Sequence, residues 1–458
     1  MTQSTHQASV VESLHRQLTG RVITPDHDGY DEARIMFYGG LDPHPAAIAQ
    51  VADTADVALV VRIAREHGIE LAVRSGGHSV AGHSTTEGGL VLDLRAMKRL
   101  DVDVANKTAW AETGLTAVEY TQATAEHGLV TGFGDTGSVG LGGITLGGGV
   151  GYLVRKHGLT IDSLLAAEIV TADGQVVMAD AENHPDLFWA IRGGGGNFGV
   201  ATRFQYRLHP IDTIVGGLMI LPASAGAIAR FIAESEAAPE ELSTIANVMN
   251  CPPMPFVPEE FHGSLVIMGL VAWCGEVEAG QQMMKRLAGD TEPIADTTGP
   301  ISFPELYPPE EDYHPTAVAR TMFADSFDEA TAQIILDHLA ASDASLRAVQ
   351  LRVLGGAVAR IPNEETAFAH RDRKLMINVA AFYEGPEDFP QREEWVVELA
   401  GILNKGDERG YSGFLANEGQ DRVRAAYPGA TWDRLRQVKA KYDPDNVFRL
   451  NQNIPPAD

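Results

Sequence analysis

Apolar residues fall into a regular rhythm from about position 47 onward. Ala47 to Ala52 reads as a short strand. Val57, Val60, Val61 and Ala64 then recur at the i, i+3, i+4, i+7 spacing of one helix face. Asp53 or Thr54 can cap that helix, and Gly68 stands where a left-handed closing residue belongs. Ile69 to Val73 and Leu90 to Leu94 are further strands. Leu100 to Val104 alternates apolar and polar, and pairs across Ala105-Asn106-Lys107 with Thr108 to Ala111. Thr116 with Glu119 forms a capping box that opens a helix stopping at Gly128. Asp173-Gly174 joins Glu168–Ala172 to Gln175–Ala179 as a hairpin. A short helix, Asp186 to Ile191, and a strand, Val200 to Leu208, close this part.

Beyond His209-Pro210 the pattern changes. From about Ile214 to Asn404, segments of β-type composition alternate with amphipathic helices such as Phe327 to Ala340, which predicts a mostly antiparallel sheet covered by helices. The last stretch, from Tyr411, carries a helix over Trp432 to Lys441 and a Pro/Asn-rich tail. The first 45 residues are polar and end in Asp42-Pro43-His44-Pro45.

Length and charge narrow the possibilities. A chain of 458 residues fits two or three domains. Its 62 acidic and 35 basic residues give a formal charge of −27, a field that repels nucleic acid and anionic membranes. Two cysteines, Cys251 and Cys274, cannot make a disulfide scaffold or a four-cysteine zinc site, so two reduced, buried thiols are expected. No apolar run reaches the ~20 residues of a membrane helix, and the first residues have no secretory pattern, so the expected location is the cytoplasm.

Glycine is the informative excess. The chain has 47, and they cluster at Gly76-Gly77, Gly137 to Gly151 and Gly193 to Gly199. Glycine after a strand lets backbone N–H groups approach a phosphate closely. Three such loops suggest a ligand carrying a pyrophosphate. Gly194 to Gly199 matches G-x-G-x-x-G, but it follows a helix and precedes a strand, the reverse of a dinucleotide fingerprint. His83 lies five residues after His78, but no carboxylate or thiol completes a metal site, so no metal is expected. Ser79 and Ser138 lack a nucleophile elbow.

Arg74-Ser75-Gly76-Gly77-His78-Ser79 resembles the flavin-attachment loop of the vanillyl-alcohol-oxidase-type (PCMH-type) flavoproteins. Val139 to Gly143, Gly147 to Gly151 and Arg155 to Leu159 are similar to that family's second FAD loop. Phe188 to Gly193 with Asn197 to Val200 is similar to its third. The tail Tyr442 to Ile454 resembles the C-terminal segment of the berberine-bridge-enzyme-like branch. The resemblance implies an α+β fold: a two-part FAD-binding domain over 1–212, an α+β substrate domain over 213–405, and a C-terminal segment, 406–458, returning to the FAD domain. It implies FAD contacts from Arg74, Ser75, Gly76, Gly77, His78, Ser79, Thr136, Gly137, Val139, Gly140, Gly142, Gly143, Gly147, Gly149, Val150, Gly199, Val200, Asn451 and Asn453. It also implies a covalent bond from His78 to the flavin C8α methyl.

Departures from the family pattern refine this. Bicovalent members carry a cysteine where this chain has Thr136, so a single link through His78 is expected. Val139, small where dehydrogenases carry Leu, points to oxygen as electron acceptor. Val150 stands where many sugar-oxidising members have Tyr, which argues against a carbohydrate. Berberine-bridge-like enzymes place a Glu three residues before the Gly355-Gly356 pair, where this chain has Arg352. Gln350 shares its strand face. Arg352, Gln350 and Asn417 are therefore the candidate catalytic residues, with Asn453 a further polar contact. The expected activity is an FAD-dependent oxidase that takes hydride from a C–H next to O or N and makes hydrogen peroxide from O2. The alternatives are a dehydrogenase using another acceptor and a redox-inactive flavin-binding protein. The small-molecule substrate and the oligomeric state are not legible.

Overall fold

The structure, a computed structural model, describes residues 3–309 and 314–458. Helix Thr54–His67 has the expected ends. Asp53 accepts from the Asp56 amide, and Gly68 closes the helix at φ 59°. Its apolar stripe, Val57, Val60, Val61 and Ala64, is fully buried, as a helix lying on a sheet requires. The sheet beside it has four strands in the order Arg21–Ile23, Ala47–Gln50, Leu90–Asp93, Leu71–Arg74. The last three run parallel, and Arg21–Ile23 is antiparallel to its neighbour. The polar N-terminal stretch hides three elements: that first strand, the short helix Tyr30–Arg34, and helix Gln3–Gln17, whose Val10 and Leu14 are buried in the same core.

A second sheet of five antiparallel strands follows, ordered Leu100–Asp103, Thr108–Glu112, Val200–Arg207, Leu164–Val170, Val176–Asp180. The capping box of Thr116 and Glu119 is present at the start of helix Ala117–Ala125. The Asp173-Gly174 turn is present too, with Gly174 at φ 77°.

The third sheet has eight strands. Its main path includes Ile214–Pro222, Leu265–Trp273, Leu242–Asn250, Arg347–Val353, Leu375–Phe382 and Ala317–Ala324, paired antiparallel in that order. One face carries Val248, Val349, Leu351, Val353, Ile377, Val379, Ala381 and Val318, packed into the largest apolar core beneath helices such as Glu329–Ala341 and Phe389–Leu403. Strand geometry sends the alternate residues to the other face, which looks onto the cavity described below. Cys251 and Cys274 are free thiols, both buried. Among the described residues no helix is long and apolar enough to cross a membrane.

Four histidines make this fold acid-sensitive. Burial depresses His370 to about 4, His83 to about 4, His209 to about 4 and His157 to about 3. The His157 ring also stacks on His209, 3.9 Å between centroids. Each imidazole is neutral in the fold, whereas the unfolded chain takes up a proton near pH 6.5. Between about pH 6.5 and 4 the unfolded state therefore binds more protons, and stability falls as pH falls. Thermal midpoints measured from pH 7 to pH 4 are expected to drop across that window. His370→Gln is expected to flatten the slope.

Candidate active site

The first and second glycine loops cross at backbone contact. A Cβ on Gly76 would lie 2.2 Å from the Gly140 nitrogen. One on Gly140 would lie 2.1 Å from the Gly76 nitrogen and 2.2 Å from Ser75 Oγ. Only glycine permits that approach. Ser75 ties the crossing together: its hydroxyl donates to the Thr113 carbonyl at 2.5 Å and accepts from the Gly142 amide at 3.2 Å. The crossing carries His78 to the wall of a cavity of about 650 Å³, within the usual range for small-molecule sites. There Nε2 of His78 is 2.9 Å from Ser138 Oγ, and the ring stacks on Phe37 at 4.0 Å.

Ser75, Gly76, Gly77, His78, Ser79, Thr136, Val139, Gly140, Gly142, Gly143, Gly147, Val150, Gly199, Val200 and Asn451 all line this cavity. Four of the expected contacts do not. Arg74 is buried beneath the loop, where Nη2 meets Asp93 at 3.1 Å and burial pulls its pKa down to about 10. The Gly137 carbonyl is taken by the Val118 amide. Gly149 donates its N–H to the Tyr411 hydroxyl at 3.1 Å, and its positive φ packs it against Thr160. Asn453 lies past the lining, its carbonyl held by Gln420.

The eight-stranded sheet supplies the facing wall. Asn247, Gln350 and Asn378 stand directly opposite one another on adjacent strands. Ala317, Ala319, Ala348 and Ala380 surround them on the same face and leave room for a ligand. Gln350 Nε2 donates to Asn247 Oδ1 at 3.0 Å, and Arg352 Nε donates to Gln350 Oε1 at 2.8 Å. Arg352 and Gln350 are thus brought together in the cavity as the strand period predicts.

Arg352 is buried, 4% exposed, and fully engaged. Nη2 meets Asp135 Oδ2 at 2.9 Å, Nη1 donates to the Val150 carbonyl, and the guanidinium lies over the Phe414 ring. Asn417 is not brought in. It is exposed, because the neighbouring Glu418 turns inward to pair with Arg422 and Arg320. Tyr411, Ser412 and Phe414 occupy the cavity in its place.

Sequence reasoning missed Tyr38, Asp135, Asn247 and Asn378, all of which line the cavity. Burial raises the Tyr38 phenol, and nearby Asp135 adds to the shift. The positions are right for an FAD. The glycine loops that cross at Gly76 and Gly140 both line the cavity, and among the described residues the buried amide oxygens of Asn451 and Asn378 have no partner. A heterocycle and a substrate bearing N–H or O–H donors satisfy such acceptors. Among the described residues no group of three or more His, Cys, Asp or Glu is placed to hold a metal.

Comparison with known proteins agrees with this geometry. Residues 45–180 match the FAD binding domain family, and residues 410–455 match the family described as berberine and berberine like. An FAD-linked oxidoreductase of Bacillus subtilis is 30% identical over 463 residues, covering 96% of this chain and 98% of its own. (R)-6-hydroxynicotine oxidase of Paenarthrobacter nicotinovorans is 30% identical over 466 residues, covering 96% and 97%. The crystal structure of 6-hydroxy-D-nicotine oxidase from Arthrobacter nicotinovorans superposes with a TM-score of 0.86 at 27% identity, covering 96% of this chain and 99% of that one. With the crossed glycine loops, the cavity between them and the eight-stranded sheet, and similarity along nearly the whole chain, the protein belongs to the berberine-bridge-like branch of the FAD-linked oxidoreductases.

Proposed function

We propose that the chain is an oxidase that holds FAD through one covalent bond to His78 and oxidises a small molecule at a C–H next to O or N. The observation that carries this is the glycine crossing that brings His78 to a cavity faced by the amide row Asn247, Gln350 and Asn378. Bound FAD supplies the redox chemistry, taking two electrons and a hydrogen from the substrate carbon and passing electrons to O2 to give hydrogen peroxide. The chain's part is to orient, desolvate and handle the proton. Ser138 and Phe37 fix the His78 ring, the amide row and the Arg352–Asp135 pair orient a polar substrate, and the alanines leave space for it. The division 1–212, 213–405 and 406–458 accords with sheets drawn from residues 21–207 and 214–382.

Two measurements test this reading. Acid-precipitated protein is expected to stay yellow, and His78→Ala is expected to release its flavin to the supernatant. Free flavin from the unmodified protein overturns the covalent link. For oxygen, the support is Val139, which lines the cavity with a side chain smaller than Leu. Val139→Leu is expected to slow reoxidation of the reduced protein in air by about tenfold or more, equivalent to ~1.4 kcal/mol or more, and to leave its anaerobic reduction unchanged. Reduced unmodified protein that survives for many minutes in air would favour the dehydrogenase reading. Flavin that no substrate reduces would favour a redox-inactive protein.

A further inference from the structure

The oxidase reading leaves the proton acceptor open, since the guanidinium of Arg352 donates hydrogen bonds and accepts none. Among the described residues lining the cavity, Asp135 is the sole carboxylate. We propose that Asp135, carried by the second glycine loop and met across the cavity by Arg352, is the catalytic base, and that the substrate presents a hydroxyl on the carbon to be oxidised. The proposal rests on the oxidase reading and deepens it.

Three features support the assignment. The ion pair with Arg352 engages Oδ2 and leaves Oδ1 for another donor. Arg352 is held in turn by Gln350 and the Val150 carbonyl, so the carboxylate is fixed by a rigid strand rather than by its own loop. Of the titratable groups facing Asp135, Arg352 is the charged one. Tyr38, Tyr152 and Tyr307 all have phenols pushed up by burial and by Asp135, so they remain neutral donors. The same cavity is lined by Asn378, whose buried Oδ1 has no partner among the described residues and is a second acceptor for a substrate donor. The other basic groups of the cavity are less well placed. His78 is the proposed attachment point, and His83 follows it on the same loop, its amide tied to Ser79 Oγ.

The step balances as an alcohol oxidation. The substrate O–H bond breaks and its proton passes to Asp135. The adjacent C–H bond breaks, and its hydrogen leaves with the electron pair to bound FAD. The C–O bond becomes C=O. The substrate loses two electrons, for which FAD would be the acceptor, and Asp135 returns the proton to water. A neutral amine loses hydride without this transfer, so the carboxylate marks the site for hydroxyl compounds.

The experiment uses the FAD-loaded protein and two readouts. The first needs no substrate. 4-Nitrophenol is titrated into the unmodified protein and into Asp135→Asn above and below the phenol's own pKa. The unmodified protein is expected to bind the neutral phenol, its O–H given to Asp135, and to keep the neutral-form spectrum above the solution pKa. Asp135→Asn, with Arg352 no longer neutralised, is expected to bind the phenolate at least tenfold more tightly than the unmodified protein does. Identical binding by the two proteins, or no binding to the unmodified one, overturns the proposal. The second readout is anaerobic flavin bleaching by a panel of primary and secondary alcohols, sugars and cyclic amines. Hydroxyl compounds are expected to bleach the flavin with an acid limb in the pH profile. Asp135→Asn is expected to lose that limb and about a hundredfold or more in rate. Bleaching by amines alone overturns the assignment, as does an acid limb that survives in Asp135→Asn and disappears in His83→Gln. Failure of the oxidase reading itself would look different: no bleaching by any member of the panel, or no peroxide on reoxidation.

Discussion

Arg352→Ala is expected to keep its FAD and its fold and yet to reduce that FAD about a hundredfold more slowly, or worse. The scale follows from removing one preorganised donor, which costs ~2.7–4 kcal/mol in the transition state. Three bonds converge on this guanidinium: Asp135 at 2.9 Å, Gln350 at 2.8 Å and the Val150 carbonyl at 3.3 Å. With alanine in place, Asp135 loses its partner, and Gln350 loses the donor that orients its amide. The fork matters as much as the charge. One ammonium cannot reproduce three contacts spread over Nε, Nη1 and Nη2, so Arg352→Lys is expected to recover only part of the rate. Stopped-flow reduction at saturating substrate checks this. A loss confined to KM would make the residue a uniform binding contact. A variant as fast as its parent would remove the Arg352–Asp135 pair from the chemistry altogether.

The reach of the sequence can be judged at the same residues. Arg352 was legible because the family resemblance marks its place before the Gly355-Gly356 pair, and Gln350 because strand period puts it on the same face, two residues away. The glycine loops were legible because close backbone approach at Gly76 and Gly140 tolerates no side chain, a constraint written directly into residue type. The partner of Arg352 was not legible. Asp135 lies 217 positions away, two residues before the second glycine cluster, where the local pattern says nothing of which way a carboxylate points. Asn247 and Asn378 were hidden for a related reason. An amide among alanines on a strand gives no signal of its own, and the row exists only when three strands align in register. Asn417 was mistaken because a loop has no period. Burial of Glu418 against Arg320 and Arg422, rather than spacing, sets which way that segment faces. Tyr38 was overlooked inside a stretch read as merely polar.

Lys439→Met is expected to cost about 3–5 kcal/mol of stability, the usual result of stranding one member of a buried ion pair. Lys439 and Asp443 are both fully buried, 2.6 Å apart. Burial pulls the ammonium pKa down, opposed by the attraction of Asp443. All three ammonium donors are used: one on Asp443, one on the Asn197 carbonyl at 2.8 Å and one on the Phe448 carbonyl at 3.1 Å. Asn197 belongs to the third glycine cluster, and its side chain also accepts from the Ile454 amide and donates to the Gln452 carbonyl. One lysine therefore binds that loop to the chain's last segment, whose Phe448, Leu450, Asn451 and Gln452 line the cavity. The loss is expected to appear in two ways: a lower denaturant midpoint, and a cavity wall that opens more often, read as faster hydrogen exchange at residues 446–454. Lys439→Met with Asp443→Leu is expected to regain only part of the loss. Asp443 also accepts from the Val447 and Phe448 amides at 2.8 and 2.9 Å, and leucine leaves those two buried N–H groups without a partner. Full recovery in the double variant would show that the ion pair, and not the turn it organises, carries the whole effect.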